Sequence, residues 1–255
     1  MTDSTIDAPI TDTRQKVALV TGGSRGIGRA TAAALAADGF AVVVNYASNV
    51  AAAEETVKTI AASGGVAEAI QADIADTEAV ARLFAQTLAR FGRLDVVVNN
   101  AGMMQMAEMT SDNVEVLDRT LATNLRGSWL VMAKAAETLS SGGRIIALTS
   151  SVIGKSFPGY GAYIASKAGV EGLVRVLANE LRGREITVNA VAPGPVATEL
   201  FFNGKSEETV QKIAAMSPFE RVGQPDEIAG VVTFLAGPQG SWINGQILRA
   251  NGGMV

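Results

Sequence analysis

Short apolar runs rich in β-branched residues alternate with alanine-rich stretches along most of the chain, and this alternation limits the fold more than any other feature. We expect strands at Val17–Val20, Ala41–Tyr46, Ala67–Gln71, Leu94–Val98, Arg144–Thr149, Thr187–Val191 and Gln246–Ala250. Helical apolar spacing occurs between them, at Gly28–Ala37, Ala51–Ala62, Thr77–Phe91, Val114–Thr138, Ala162–Leu181 and Pro225–Leu235. Strands that are apolar throughout and separated by helices indicate a parallel sheet covered on both faces. The sequence therefore predicts an α/β fold with a doubly wound, seven-stranded parallel sheet and a binding site at the carboxyl ends of its strands.

No linker rich in proline, glycine or serine divides the 255 residues, so a single domain over residues 16–255 is expected. Residues 1–15 carry acidic side chains without an apolar core, which predicts a flexible tail, no secretory signal and a cytoplasmic protein. The longest apolar stretch, Ile228–Ala236, is about half as long as a membrane-spanning helix, so no membrane span is expected. The least regular stretch, Pro193–Pro218, is long enough to be a binding loop, and we expect it to contact the substrate.

The chain contains no cysteine and no histidine. Thiolate catalysis, disulfides, cysteine-ligated zinc and Ser-His-Asp triads are thereby excluded, and we expect no metal site. Acid/base chemistry near neutral pH must then come from a carboxylate, a lysine or a tyrosine with a shifted pKa. The formal net charge of −4, without a basic stripe, argues against nucleic acid as a partner and favours a small-molecule substrate.

A glycine-rich segment, Thr21–Gly28, follows the first predicted strand and opens a helix. Glycines there allow a tight turn and a close approach of the backbone to a pyrophosphate, while the helix N-terminus offers free N–H groups to the anion. A plain strand-to-helix turn is the alternative, but three glycines at this spacing favour dinucleotide binding.

The end of the second predicted strand, Val44–Ser48, lacks the carboxylate that holds the adenosine ribose in NAD-binding proteins. Arg25 in the glycine segment could pair with a 2′-phosphate, although it could also be a solvated surface residue. NADP(H) is therefore the expected cofactor, and NAD(H) is less favoured. Asp73 could bond the adenine amino group or cap a turn, and Asn99–Gly102 could admit the cofactor or bond neighbouring strands.

Tyr163 and Lys167 stand four residues apart in a predicted helix, so both side chains project from one face. A nearby ammonium is expected to lower the phenol pKa from about 10 towards the working range, which would make Tyr163 a usable acid/base. An ordinary pair on a helix surface is the other interpretation. Tyr160 lies in a Pro-Gly-Tyr-Gly loop, about 10 Å along a helix from Lys167, and is not expected to share that lysine.

Three more polar residues are candidates for the site. Ser150 and Ser151 end the fifth predicted strand, where a hydroxyl could bond a substrate oxygen. Asn124 stands inside the fourth predicted helix, where a polar residue of this type is unfavourable and indicates a local kink or a bound water.

Together these motifs resemble the short-chain dehydrogenase/reductase family over about Lys16–Gly253, in particular its 3-oxoacyl-ACP reductase-like and carbonyl reductase members. Gly22, Gly26 and Gly28 match the family's T-G-x-x-x-G-x-G, and Asn99–Gly102 matches its N-N-A-G. Tyr163 and Lys167 match its Y-x-x-x-K. Its nicotinamide-side loop resembles the segment with Pro193, Gly194, Val196 and Thr198. Asn124 and Ser151 occupy the positions of its asparagine and serine. Ser151 is preferred to Ser150 because it directly precedes an apolar-Gly segment, and Asn251 replaces the aspartate of a frequent D-G-G.

The resemblance implies a Rossmann fold, hydride transfer between NADPH and a carbonyl or secondary alcohol carbon, and a homotetramer built on the two long helices and the C-terminal edge. Ser151 and Tyr163 would hold the carbonyl oxygen, with Tyr163 as general acid/base. Lys167 would hold the ribose and depress the Tyr163 pKa, and Asn124 would position a water that links Lys167 to solvent. The expected cofactor contacts are Gly22, Ser24, Arg25, Gly26, Ile27, Gly28, Asn45, Tyr46, Ala47, Ser48, Asp73, Ile74, Asn100, Ala101, Gly102, Tyr163, Lys167, Pro193, Gly194, Val196 and Thr198. The expected substrate contacts are Ser151, Ile153, Phe157, Tyr160, Phe201 and Phe202.

Two other functions stay open at this point. An epimerase or dehydratase could use the same platform, although such relatives usually carry an added substrate domain that is not seen in this sequence. A non-catalytic NADP(H) sensor would need no proton relay, so the presence of Ser151, Tyr163 and Lys167 speaks against it. The sequence does not identify the substrate: ketoacyl thioesters, steroids, sugars and xenobiotic ketones are all compatible with an apolar pocket.

Overall fold

The computed structural model describes residues 15–255, and its seven strands form one parallel sheet of order β3-β2-β1-β4-β5-β6-β7. The strands are β1 (Val17–Val20), β2 (Ala41–Tyr46), β3 (Val66–Gln71), β4 (Val96–Asn99), β5 (Arg144–Leu148), β6 (Thr187–Pro193) and β7 (Ile247–Ala250). The helices are α1 (Gly26–Ala37), α2 (Val50–Ala62), α3 (Thr77–Phe91), α4 (Val114–Leu121), α5 (Gly127–Thr138), α6 (Gly161–Glu180), α7 (Glu199–Phe202), α8 (Glu207–Ala214) and α9 (Pro225–Ala236). The predicted doubly wound Rossmann fold is confirmed. The predicted tail lies, apart from Gln15, outside the described residues.

Both faces of the sheet are covered, which explains why its strands are almost continuously apolar. In β1, Val17 and Leu19 belong to a core with α3, α5 and α6, while Ala18 and Val20 belong to a second core with α1, α2 and α9. All four side chains are buried. A residue on either face of such a strand is removed from water, so alternation of apolar and polar residues is absent.

Two segments differ from the predicted elements. The predicted helix Val114–Thr138 is interrupted by a π-helical turn, Ala122–Arg126, between α4 and α5. The predicted irregular stretch Pro193–Pro218 contains the short helix α7 and the two-turn helix α8. The turn at Ala122–Arg126 is the irregularity expected from Asn124, since a π turn adds one residue to the helix and commonly marks a functional position.

The order of the strands reverses beside β1, which pairs with β2 on one side and β4 on the other. The loops that leave the carboxyl ends of β1 and β4 turn to opposite faces of the sheet, so a crevice opens between these two loops. This crevice lies at the end of the sheet where the glycine segment and Asn99–Gly102 are found. No helix within residues 15–255 combines the length and apolar character needed to cross a bilayer.

Candidate active site

The glycine segment forms a cradle between β1 and α1 that has no room for side chains. Gly22 adopts a left-handed φ of 61°, and a Cβ there would lie 2.9 Å from the Cα of Ala101. A Cβ on Gly28 would lie 2.2 Å from the carbonyl oxygen of Gly22. The Asn100 side chain fixes the cradle by donating hydrogen bonds to the carbonyls of Thr21 (2.9 Å) and Gly22 (3.1 Å). The backbone and the N-terminus of α1 are therefore open to an anionic ligand.

The cradle leads into a long cleft over the carboxyl ends of the strands. Its outer part is formed by the glycine segment, the end of β2, the start of the loop after β3 and Asn100–Gly102. Its inner part reaches Tyr163 and Lys167 and is bounded by the loop after β6. Ile27, Asn100 and Gly102 line both parts, so the two are continuous. The structure brings every predicted cofactor contact to one of these two parts.

Asn45 lines the cleft but does not offer its side-chain amide to a ligand. Its Nδ2 donates to the carbonyls of Ile70 (3.2 Å) and Ala72 (3.1 Å), and its Oδ1 accepts from Gly22 N (3.3 Å). Asn45 is buried, so its amide groups have exchanged water for these partners. Asn45 is expected among the cofactor contacts and does line the cleft, but its side chain ties the glycine cradle to β3.

Arg25 is the cation at the outer mouth of the cleft. Its side chain is 64% exposed, and Nη1 lies 3.8 Å from Glu199 Oε2 in α7. The guanidinium of Arg29, by contrast, folds onto the carbonyl of Ser24 with bonds of 3.1 and 2.9 Å. Arg25, exposed and in a long ion pair with Glu199, lines the same part of the cleft as Tyr46 and Ser48, whereas Arg29 braces the glycine cradle.

Tyr163 and Lys167 lie side by side on α6 at the inner end of the cleft, where Lys167 is buried and Tyr163 is partly buried. Lys167 Nζ lies 5.9 Å from the centroid of the Tyr163 ring and donates to the carbonyl of Leu148 at 2.8 Å. Burial lowers the pKa of Lys167 to about 8. Burial also raises the pKa of Tyr163 to about 12, against the opposing effect of a hydrogen bond with the Ser150 side chain.

The expected depression of the Tyr163 pKa is not found. Desolvation of the phenolate is the largest influence and outweighs the hydrogen bond from Ser150. Lys167 Nζ is directed to Leu148 at the end of β5, and its own charged form is disfavoured by the same burial. Tyr163 is therefore a neutral phenol in this structure, which is the form that can donate a proton.

Ser151 does not line the cavity that holds Tyr163, and Ser150 does. The Ser151 hydroxyl is buried, donates to the carbonyl of Ala192 (2.8 Å) and accepts from Asn251 Nδ2 (2.9 Å). Ser150 precedes a short 3₁₀ turn, where its extended backbone directs the side chain to Val152 N and Tyr163. The placement of Ser151 at the substrate oxygen is thus corrected, because its hydroxyl is turned away into the protein.

Asn124 is fully buried in the π turn and holds the segment that follows β4. Its Oδ1 accepts from Met103 N (2.8 Å), and its Nδ2 donates to Met103 O (2.8 Å) and to Ser166 Oγ (3.1 Å). Both Asn124 Oδ1 and Lys167 Nζ approach Gly102, where a Cβ would lie 3.2 and 3.4 Å from them. Asn124 therefore stands near Lys167, with its side chain occupied by backbone and Ser166.

The walls of the inner cavity include some of the predicted substrate contacts and several residues that were not predicted. Phe157, Tyr160 and Phe201 line it, whereas Ile153 and Phe202 do not. The lining residues that the sequence analysis did not predict are Leu148, Thr149, Val152, Pro195, Leu200, Ile213 and Met254. Ser150, which was a candidate beside Ser151, also lines the cavity. Ile213 and Met254 belong to no motif, so only the folding of distant segments onto the cavity reveals them.

Comparison with known proteins agrees with this geometry. The sequence model of a family described as "Enoyl-(Acyl carrier protein) reductase" matches residues 22–255. An Arabidopsis thaliana protein named NADPH-dependent aldehyde reductase-like protein, chloroplastic, is 44% identical over 100% of this chain and 99% of its own. The 3-oxoacyl-[acyl-carrier-protein] reductase of Synechocystis is 44% identical over 94% of this chain and 97% of its own. A short-chain dehydrogenase from Burkholderia cenocepacia, solved in complex with NADP, superposes with a TM-score of 0.89 at 38% identity, covering 94% of this chain and 97% of its own. The fold, the glycine cradle, the Tyr163–Lys167 pair and these relatives together show that the chain belongs to the short-chain dehydrogenase/reductase family.

Proposed function

We propose that this protein is an NADP(H)-dependent oxidoreductase that interconverts a carbonyl compound and a secondary alcohol. One observation carries the proposal: Tyr163, hydrogen-bonded to Ser150 and beside Lys167, lies at the inner end of a cleft that begins at a glycine cradle. The cradle fits a pyrophosphate because its glycines leave no Cβ in the way. The apolar cavity around Tyr163 fits a substrate whose reacting group is a single polar oxygen.

NADP(H) fits the residues along the cleft. The cradle and the N-terminus of α1 would hold the pyrophosphate, Arg25 and Ser48 the 2′-phosphate, and the loop from Pro193 the nicotinamide side. Bound cofactor would supply or accept the hydride. The Burkholderia cenocepacia structure was solved with NADP, and the Arabidopsis relative is named as NADPH-dependent, which supports NADP(H) over NAD(H).

Tyr163 is the proposed general acid/base. In the reductive direction its neutral hydroxyl donates a proton to the substrate oxygen, and Ser150 donates a second hydrogen bond to the same oxygen. A pKa of about 12 keeps the phenol protonated across the physiological range. The Lys167 ammonium, held by Leu148, favours the tyrosinate that is left after proton transfer. Asn124 binds Met103 and Ser166 and so holds the segment after β4 against α6. We also propose that Asn124 positions a water that links Lys167 to solvent.

The substrate loop is proposed to be residues 193–218. Phe201 from α7 and Ile213 from α8 line the cavity, so this segment forms part of the wall of the proposed substrate pocket. Loops of this kind exclude water and shape the pocket. We also propose a cytoplasmic location, although the Arabidopsis relative is named as chloroplastic.

The decisive test is the loss of NADPH absorbance over a panel of ketones and aldehydes, run with wild type, Tyr163→Phe and Tyr160→Phe. Tyr163→Phe removes only the hydroxyl and is expected to lower kcat by about a hundredfold or more while leaving NADPH affinity unchanged. Tyr160→Phe is the matched control and is expected to alter substrate preference, because Tyr160 is part of the cavity wall. Full activity in Tyr163→Phe, or loss of it in Tyr160→Phe alone, would contradict the assignment.

The same panel separates the competing functions. An epimerase or dehydratase would convert its substrate without net consumption of NADPH, and a sensor would bind NADPH without turnover of any carbonyl compound. The Ser150–Tyr163–Lys167 arrangement favours the oxidoreductase, because a sensor needs no proton donor in the wall of an apolar cavity.

We further propose a homotetramer. Trp129 on α5 and Val176 on α6 are more than half exposed. Trp129 also lines a mainly apolar groove together with Leu121 of α4, Leu125 of the π turn and Leu173 of α6. Phe234 on α9 and Trp242, which is 98% exposed in the connection between α9 and β7, are further exposed apolar residues outside that groove. Two separate faces of this kind suit an assembly with two different two-fold contacts.

A further inference from the structure

Residues 251–255, which follow β7, turn back towards the active site. Gly252 and Gly253 adopt left-handed φ values of 62° and 83°, which reverse the chain directly after the strand. The turn brings the Met254 side chain, 7% exposed, into the lining of the cavity that contains Tyr163 and Ser150. A residue more than ninety positions from Tyr163 in sequence therefore contributes to the wall of the proposed substrate pocket.

Asn251 and Ser151 hold this segment in place. Asn251 Nδ2 donates to Ser151 Oγ (2.9 Å) and to the carbonyl of Val255 (3.2 Å), and its Oδ1 accepts from Gly253 N (3.0 Å). Ser151 Oγ in turn donates to the carbonyl of Ala192 (2.8 Å). One amide thus closes the turn on itself and ties it to the loop after β5.

A second contact holds the turn from the substrate loop. Ser217 Oγ donates to the carbonyl of Gly252 at 2.7 Å, and a Cβ on Gly252 would lie 2.5 Å from that hydroxyl oxygen. The Val255 side chain packs on the other side against Gly154, where a Cβ would lie 3.2 Å from the Val255 Cβ. The segment is therefore fixed between the loop after β5 and the end of the substrate loop.

The direction of the hydrogen bonds requires an amide at position 251. The Ser151 hydroxyl has one proton, which is used at Ala192 O, so its partner at 251 must be a donor. The carbonyl of Val255 also needs a donor. An aspartate has the same shape but no donor when ionised, and its charge would face the oxygens of Ser151 and Val255. Asparagine meets all three contacts, and aspartate meets only the one to Gly253 N.

We propose that Ser151 and Asn251 are positioning residues for Met254, and that Met254 is a specificity-determining wall which limits the size of the apolar group beside the substrate carbonyl. The proposal rests on the proposed function, since it concerns the same cavity. Met254 is suited to this task because the thioether fills an irregular space and its position is set by polar contacts outside the cavity. Ser151 takes no part in the chemistry proposed for Tyr163 and Ser150, and its proposed role is to hold the segment that carries Met254.

The first test compares NADPH-dependent reduction of acetophenone and 2-acetonaphthone in wild type, Met254→Ala, Asn251→Asp and Ser151→Ala. Met254→Ala is expected to raise the ratio of kcat/KM for the larger ketone to that for the smaller by about tenfold, the range seen when a pocket gains a few methylene volumes. Asn251→Asp and Ser151→Ala are expected to shift the ratio in the same direction. Met109→Ala is the control, because Met109 is 90% exposed and lies outside the cavity. An unchanged ratio in Met254→Ala, or an equal loss for both ketones in Ser151→Ala, overturns the proposal.

The second test does not depend on turnover. Hydrogen–deuterium exchange of a peptide that covers residues 251–255 is expected to become faster in Asn251→Asp and Ser151→Ala, with the rest of the protein unaffected. Asn203→Asp makes the same chemical change at an exposed position and is expected to leave this peptide unchanged. Exchange that stays at the wild-type rate in both variants overturns the positioning role. A wild type that reduces no ketone while this exchange result holds would contradict the proposed function and leave the positioning role supported.

Discussion

Ser150 and Ser151 are neighbours in the chain, but their environments give them different chemistry. Ser150 is the extended residue before the 3₁₀ turn and Ser151 is the first residue of that turn, so their side chains point in different directions. Ser150 faces Tyr163, and Ser151 faces Ala192 and Asn251. A motif that places a serine at the end of β5 cannot by itself decide between these two directions.

Ser150→Ala is therefore expected to be the more damaging of the two alanine variants. Removal of one hydrogen-bond donor to a developing oxyanion commonly costs about a hundredfold in kcat, and Ser150 is the proposed donor. The measurement is kcat for one accepted ketone at saturating NADPH in both variants. Wild-type kcat in Ser150→Ala, with Ser151→Ala inactive, would restore Ser151 as the substrate-binding serine.

Lys167 couples the site to stability through its lowered pKa. Burial lowers the pKa of Lys167 from 10.5 in an exposed lysine to about 8 in the folded protein. Between these two values the unfolded chain binds more protons than the folded one, so the free energy of unfolding rises with pH. From pH 7.5 to pH 9.5 this single group is expected to add about 2 kcal/mol of stability.

Lys167→Met isolates this contribution from other titrating groups. The variant cannot release a proton at this position, so its stability does not gain from this effect as the pH rises. The difference in the free energy of unfolding, variant minus wild type, is therefore expected to fall by the same ~2 kcal/mol between pH 7.5 and pH 9.5. Urea unfolding at both pH values measures the difference. The range ends below pH 10, so Tyr163, with its raised pKa of about 12, stays protonated in the folded state. Parallel pH profiles for the two proteins would show that Lys167 titrates normally.

At the scale of elements, the glycine cradle, the start of α1 and the end of β2 decide cofactor choice together. Arg25 stands directly before α1 and faces the cleft together with Tyr46 and Ser48. Loss of one charge-assisted contact is worth about 1.5–3 kcal/mol, and the exposure of Arg25 places it at the lower end. Arg25→Ala is therefore expected to reduce kcat/KM for NADPH about tenfold while leaving that for NADH nearly unchanged.

Tyr46→Asp complements this change by adding a carboxylate at the end of β2. It is expected to repel the 2′-phosphate, accept bonds from ribose hydroxyls and reverse the preference towards NADH. Arg82→Ala is the matched control, because Arg82 is exposed to a similar extent, on α3, outside the cleft. The measurement is kcat/KM for both cofactors in all four proteins. Equal wild-type values, unaffected by Arg25→Ala, would show that this end of the cleft does not recognise the phosphate.

Elements with strong local signals were predicted within a few residues, and elements without them were not. β2 and α3 coincide with the prediction, since β2 is a run of valines and α3 has Asp76 as N-cap and Gly92 after its end. The π turn around Asn124 depends on the backbone of Met103, which lies across the site. Helix α8 had a local signal in Ser206, which caps Thr209 N, but the surrounding polar sequence concealed it.

At the scale of the whole molecule, the exposed apolar faces predict assembly. Light scattering at micromolar concentration is expected to give a mass about four times that of the 255-residue chain. Trp129→Glu places a charge on the face formed by α5 and α6 and is expected to reduce the mass by half, because the contacts of the other face remain. Val50→Glu makes a similar change on α2, where Val50 is 49% exposed away from both faces, and is expected to leave the mass unchanged. A monomeric wild type would refute the prediction.

The sequence by itself determined the features that depend on near neighbours. The parallel sheet follows from strands buried on both faces, the glycine cradle from turns that exclude a Cβ, and the Tyr163–Lys167 pair from helical spacing. Each of these depends on contacts within a few residues or on burial alone, and both leave a pattern in the chain. The family follows from the same motifs.

Only the tertiary structure decided which polar groups remain available and how charged they are. Asn45, Ser151 and Asn124 looked like groups for ligands, but distant backbone and side-chain partners satisfy all three. The pKa of Tyr163 rises instead of falling because desolvation is a property of the packed cavity and not of the spacing to Lys167. Met254 reaches the cavity only because β7 ends beside the loop after β6. These outcomes depend on contacts between residues far apart in sequence, for which no local pattern exists.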